Sequence, residues 1–324
     1  MNITLKKWIL ILFSTQMIIK LFLVTSPYTS FDEREYADFK GKDISVVQRG
    51  FLLEFLSCAF PSLIFGRIFI AAFSSLPVFI LPFIKYKNVA KHRLLFMSLV
   101  TFNPLFLKLS SMYLTDAVFF TLIVIFVYLK SKKLETQASI ISCVSILVRY
   151  EGVLLVLINL IDLILSKKVK YVLIQLLLFS FFIPLIFKGI ELYFVHHLKA
   201  SPEVPYFYYL LTPFMVQGLL FIFLPYALIT QFGKNKLLDL LFVGFISFYF
   251  LFHVGGTFSD RFRYVLPTLL STSYYIIGIA DEKFKRLIVL FLILNLSLLV
   301  PLYDYKPFRQ YLKELLQNVV NFLM

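Results

Sequence analysis

The sequence predicts an all-α membrane protein, a polytopic bundle of about eleven transmembrane helices. Two observations carry that prediction. The chain is 60% apolar and 15% charged, with a mean hydropathy of +0.86, whereas a soluble domain has roughly 45–50% apolar and about 25% charged residues. In addition, the apolar residues fall in blocks separated by short basic clusters. At ~20 residues per crossing, 324 residues hold about ten spans and leave no room for a large soluble domain. The net charge of +14 would point to nucleic acid in a soluble protein. Here it is read as membrane topology, and no nucleic-acid partner is expected. Cys58 and Cys143 form neither a disulfide framework nor a Cys-x-x-Cys metal motif.

In order, the spans are expected near 8–25, 66–84, 94–109, 116–130, 137–148, 152–166, 171–188, 212–232, 237–253, 265–280 and 287–302. The first follows Lys6-Lys7 and resembles a signal-peptide core. No small-residue cleavage pattern follows Lys20 to Ser26, so it reads as a retained helix. The pair 137–148 and 152–166 is interrupted at Arg149-Tyr150-Glu151-Gly152; two helices or one broken helix satisfy the pattern. The longest hydrophilic segment, 26–65, makes the first outer loop, with Phe51 to Phe60 as an interfacial helix. At the C-terminus, Phe308, Leu312, Leu315, Leu316, Val319 and Leu323 form one stripe. Residues 304–324 therefore read as an interfacial amphipathic helix after a transmembrane unit of residues 1–303.

Alternating sides from a cytoplasmic N-terminus puts 17 basic and five acidic residues inside, and 15 basic and 13 acidic outside. Every cytoplasmic turn is lysine-rich, as the positive-inside rule requires. Arginine divides the other way. Of nine arginines only Arg93 and Arg286 fall inside; Arg34, Arg49, Arg67, Arg149, Arg261, Arg263 and Arg309 fall outside. A compact lysine charge suffices for topology, whereas the planar guanidinium binds phosphate or carboxylate through two parallel hydrogen bonds. Outer salt bridges and an outward-facing site for a phosphorylated ligand both fit this bias.

The outer acids supply candidates for chemistry. Asp32 and Glu33 lie just beyond the first span, where a carboxylate beside apolar surface suits a general base; a solvated acidic loop is the plainer reading. Asp116 opens the fourth span, where the helix dipole favours an acid and membrane depth makes it a functional candidate. The stretch Gly255-Gly256-Thr-Phe-Ser-Asp-Arg261-Phe-Arg263-Tyr264 suits a phosphate-binding loop. Its glycines permit close approach, and Arg261 and Arg263 share a side if the backbone is extended. His196-His197 has no partner at metal-ligand spacing.

This arrangement resembles the GT-C superfamily of polytopic glycosyltransferases, which includes protein O-mannosyltransferases, lipid A aminoarabinose transferases and lipid-linked mannosyltransferases. The matching features are Phe31-Asp32-Glu33 in a long first outer loop and Phe102-Asn103-Pro104 before Leu114-Thr115-Asp116. Arg149-Tyr150-Glu151-Gly152 and Arg263-Tyr264-Val265-Leu266-Pro267 complete the set. Each motif is short; their order and common placement carry the likeness. The resemblance implies a hexosyltransferase that moves a sugar, mannose-like, from a polyprenyl- or dolichyl-phosphate donor to a lipid, glycan or protein acceptor. Asp32 would be the catalytic base, supported by Glu33, with Asp116 positioning the acceptor. Arg149, Arg261, Arg263 and Tyr264 would hold the donor phosphate. A divalent metal ion at Asp32 and Asp116 is a further option it leaves open. The site would face the outside of a plasma membrane or the lumen of the endoplasmic reticulum. In contrast to larger relatives, no extracytoplasmic domain is expected after the last span. The alternatives are a transporter or lipid flippase, which should show internal repeats or midplane ionisable groups, and a non-catalytic subunit of a glycosylation complex.

Overall fold

The computed structural model describes residues 3–26, 52, 56, 59–60, 62–184, 186–187, 216–252, 263 and 265–297. All regular elements among them are helical, so the all-α class holds. Each apolar block whose residues are described forms helix: α1 Ile3–Val24, α2 Leu63–Phe73, α3 Leu76–Ile80, α4 Lys87–Lys91, α5 Arg93–Thr101, α6 Pro104–Leu109 and α7 Thr115–Ser131. There follow α8 Glu135–Val148, α9 Gly152–Leu165, α10 Val169–Ser180, α11 Leu224–Gln231, α12 Lys236–Phe252, α13 Leu269–Gly278 and α14 Glu282–Leu296. The expected interfacial helix at 304–324 lies outside the described residues, as does most of 51–60.

Membrane crossing is a stricter demand than helix formation. Among the described residues two helical stretches, Ile3–Val24 and Leu63–Phe83, are long and apolar enough to span a bilayer. Helices α8 and α9 have 14 residues each, about 21 Å at ~1.5 Å per residue, against a ~30 Å hydrocarbon core. Eleven full-length spans are therefore more than the structure supports. The expected span 94–109 divides into α5 and α6 because Pro104 has no N–H to continue the helix. Asn103 restarts it, its side chain accepting a hydrogen bond from the Phe106 N–H at 3.0 Å. Arg149 to Glu151 separates α8 from α9, settling the two-helix alternative.

Helix α7 is the axis of the bundle. It is apolar on every side, and Thr115 to Val124 are buried without interruption, as expected of a helix that other helices surround. It packs on α8, α3 and the 3-10 turn Leu266–Thr268. Helix α8 packs in turn on α9 and α10, and α9 on α12. The α8–α10 contact is polar. Asn159 Nδ2 and Ser142 Oγ donate to Gln175 Oε1 at 2.7 and 3.1 Å, and Gln175 Nε2 donates to Cys143 Sγ at 3.1 Å. Small side chains at Ser139, Ser142 and Ser145 bring the helices close enough for these bonds.

Several helices bury polar residues and expose apolar ones. In α10 Gln175 is buried, whereas Val169, Leu173, Leu176 and Leu177 are exposed. In α1 Gln16 and Lys20 are buried beside exposed Leu10, Ile11, Ile18 and Phe22. Lys20 Nζ donates to the Ser74 and Ser75 hydroxyls at 2.9 and 3.0 Å, where α2 breaks from α3.

Candidate functional site

The α8–α9 turn exists because of one glycine. A Cβ on Gly152 would lie 2.5 Å from the Ile146 nitrogen and 2.5 Å from the Ser145 carbonyl carbon, so only glycine allows α9 to start against the last turn of α8. The turn closes with Gly152 N–H donating to Arg149 O at 2.9 Å and Leu154 N–H donating to Glu151 O at 3.0 Å. Arg149 leaves the helix in extended conformation, with φ −151° and ψ 142°. Its side chain is thereby directed across to the start of α7.

At that start sits Asp116, its side chain 1% exposed. Arg149 Nη1 donates to Asp116 Oδ1 at 2.5 Å and reaches Thr115 Oγ1 at 3.4 Å. The other edge of the same guanidinium is taken by Glu151, with Nη2 to Oε1 at 2.6 Å and Nε to Oε2 at 3.2 Å. Arg263 approaches from the chain just before the 3-10 turn, its Nε 3.7 Å from Asp116 Oδ2. That oxygen is buried and accepts no hydrogen bond from a described residue. Two guanidinium groups and two carboxylates thus meet at one end of the bundle.

Phe119, Phe245, Phe248, Tyr249 and Pro267 wall this cluster on its apolar side. The space between them is about 10 Å³, room for roughly one water. Such walls exclude solvent and strengthen the electrostatic contacts inside. A second cavity of about 250 Å³ lies at the far end of α13, among Asn88, Lys91, Gln231 and Asp281, and contains none of the residues singled out in the sequence.

Three of the expected site residues, Asp116, Arg149 and Arg263, therefore lie together although they come from separate stretches of chain. Asp32, Glu33, Arg261 and Tyr264 lie outside the described residues, as do Gly255, Gly256 and His196-His197. No group of three or more His, Cys, Asp or Glu converges among the described residues. Asp116 faces two guanidinium groups that compete for its oxygens, so the described side chains do not fit a divalent cation there. The grip of Glu151 on Arg149 and the aromatic wall from α12 were missed. Phe245, Phe248 and Tyr249 do carry a legible signal: they fall at helical spacing on one face near the C-terminal end of α12.

At the other end of α7 and α8 lies a different charge group. Lys130 Nζ bonds Glu135 Oε2 and Asp162 Oδ2, each at 2.5 Å, and Lys168 also pairs with Glu135. Burial alone would raise the Glu135 carboxyl. Hydrogen bonds from Lys130 and Lys168 outweigh it and hold the pKa below its ordinary value.

Comparison with protein-family models, with curated proteins and with solved structures found no match for this chain.

Proposed function

We propose that the chain is a polytopic membrane glycosyltransferase of GT-C type, transferring a mannose-like hexose from a polyprenyl- or dolichyl-phosphate donor to an acceptor hydroxyl. The observation that carries this reading is the meeting of Asp116, Arg149 and Arg263 in an aromatic-walled pocket at one end of the bundle. Membrane residence is supported by helices that bury glutamine, lysine and asparagine while exposing leucine and phenylalanine. Extended exposed apolar surface of this kind marks a membrane or partner contact. The short helices would cross with the help of their flanking turns.

The chemistry needs an anion site beside apolar surface. The donor's lipid lies among helices, and its head group at their polar end. In the proposed step Asp32 takes the acceptor hydroxyl proton as that oxygen attacks the anomeric carbon. The bond from the anomeric carbon to the phosphate oxygen breaks, and its electron pair leaves on the polyprenyl phosphate. Arg149 and Arg263 stabilise the growing phosphate charge, with Arg261 and Tyr264 assigned to the same donor site. Asp116 fixes the two described arginines. A single displacement inverts the anomeric configuration.

The test is the assay of Asp32→Asn and Arg263→Ala with polyprenyl-phosphate sugars in detergent. Asp32→Asn should lose turnover, and Arg263→Ala should raise the donor KM. Full activity in Asp32→Asn would remove Asp32 as the base. Vectorial substrate movement without transfer in the wild type would favour a transporter or flippase instead.

A further inference from the structure

The outer edge of the Arg149 guanidinium is already filled. Glu151 takes it through two parallel hydrogen bonds, at 2.6 and 3.2 Å, which is the geometry a phosphate uses on arginine. Among the described residues, two guanidinium groups face two carboxylates, so these four side chains carry no excess positive charge. The remaining space of about 10 Å³ does not admit a phosphate beside Glu151. An incoming anion therefore needs one carboxylate to leave.

The two carboxylates differ in their freedom to do so. Asp116 is sealed, with its side chain 1% exposed, between Arg149 and Arg263 at the start of α7. Glu151 is buried less deeply, its side chain 10% exposed, on a turn whose backbone is held independently by Gly152 packing and by the Gly152 and Leu154 N–H bonds. Its side chain can rotate away without displacing the turn or Arg149.

From this we infer that Glu151 is an exchangeable occupant of the donor-phosphate position on Arg149, and that it sets the affinity of the site for phosphate-bearing ligands. The inference rests on the reading of this cluster as the donor-phosphate site. It also assigns a consequence to the reaction. The donor phosphate is a diester with one negative charge, whereas the lipid phosphate left behind is a monoester approaching two. Arginines alone would hold that product more tightly than the donor. A tethered carboxylate returning to the same guanidinium edge competes with the product and promotes its release. Glu151 is thus an affinity-setting residue that weakens donor and product alike, and its effect on turnover falls on release of the more tightly held product.

The test is equilibrium binding of farnesyl phosphate and of inorganic phosphate to the purified full chain in detergent. Wild type, Glu151→Gln, Glu151→Asp and Arg149→Gln are compared by calorimetry and ³¹P NMR. Glu151→Gln should bind farnesyl phosphate about tenfold more tightly, the scale of one lost charged competitor, and Arg149→Gln should bind it hardly at all. Glu151→Asp, too short to span the same edge, should follow Glu151→Gln, and it serves as the probe if the glutamine variant fails to fold. Tightening for both ligands identifies a phosphate site, and tightening for farnesyl phosphate alone identifies one that also needs the lipid; either supports the exchange. Unchanged or weaker binding in both Glu151 variants, with loss in Arg149→Gln, overturns it and leaves the donor site standing. Failure of wild type and both Glu151 variants to bind either ligand removes the phosphate-site reading itself and the inference with it.

Discussion

Replacing Arg149 by Gln tests the cluster most directly. The substitution removes charge-assisted bonds of 2.5 Å to Asp116 and of 2.6 and 3.2 Å to Glu151. Each such bond contributes roughly 1.5–3 kcal/mol, but the two losses are not equal. Glu151 is buried less deeply than Asp116, its side chain 10% against 1% exposed, and can turn toward water, so most of its loss is returned. Asp116 stays buried and keeps only the longer 3.7 Å contact with Arg263, and breaking a buried pair costs about 3–5 kcal/mol. The expected loss is therefore about 3–5 kcal/mol, a third or more of the stability of a typical domain. Asp116→Asn should cost less, because Arg149 keeps Glu151. The double variant should cost about as much as Asp116→Asn alone, since Arg149→Gln then strands no charge. The coupling between the two positions is then about 3–5 kcal/mol, the whole cost of the single Arg149 change. Denaturant unfolding in mild detergent, followed by circular dichroism, measures all three variants. A loss under about 1 kcal/mol in Arg149→Gln, with additive behaviour in the double variant, would refute a buried ion pair.

Gly152→Ala should cost roughly 2–3 kcal/mol, because its methyl meets backbone of Ser145 and Ile146 at 2.5 Å; an unchanged melting temperature would contradict the α8–α9 packing. Glu135 predicts a pH effect with a definite sign. Its folded pKa lies below the ordinary 4.5, so its stabilisation is complete above that value and is lost as pH falls through the lower folded value. As pH falls from about 6 to below 4.5 the wild type should lose stability that Glu135→Gln keeps, as measured by denaturation midpoints; parallel losses would exclude the effect. Lys133 has φ 62° just past the end of α7, a left-handed position that disfavours a Cβ. Lys133→Gly should stabilise by about 0.5–1 kcal/mol, and destabilisation in the same unfolding assay would show that the lysine side chain matters more than its backbone.

The sequence carried the positions of the helices well because apolar blocks and basic turns alternate clearly. It carried their interruptions less well. The break at Arg149 to Gly152 was visible through two charges and a glycine in an apolar run. The division at Phe102 to Pro104 was passed over, although Asn103-Pro104 is a helix start signal. Ser74-Ser75 separates α2 from α3 by hydroxyls that receive Lys20, a contact 54 and 55 positions away that local pattern does not encode. In the site, residue type and sequence position drew attention to Asp116, Arg149 and Arg263. The hold of Glu151 on Arg149 was not legible, because an acid two residues from an arginine meets it only if the backbone between them turns. That turn depends on Gly152 packing against α8.

The division between lysine and arginine can now be judged by what the described side chains do. At one end of α7, Lys130 and Lys168 close an ion network with Glu135 and Asp162. At the other, Arg149 and Arg263 meet Asp116. Both ends make salt bridges, so pairing with acids does not by itself separate a structural arginine from a functional one. The surroundings do differ. The lysine network ties α7, α8 and α9 to the start of α10, a placement that joins helix ends. The arginine cluster lies in a pocket of aromatic rings, with one guanidinium edge held by a second carboxylate. Arg67 shows the structural alternative within the same chain. Its Nη1 donates to Val24 O and Ser26 O at 3.0 and 2.9 Å, fastening the end of α1 as a cation at a helix C-terminus does. If Arg149 had the same duty, Glu151→Gln would weaken the cluster without changing phosphate affinity. A gain in that affinity separates a binding arginine from a fastening one.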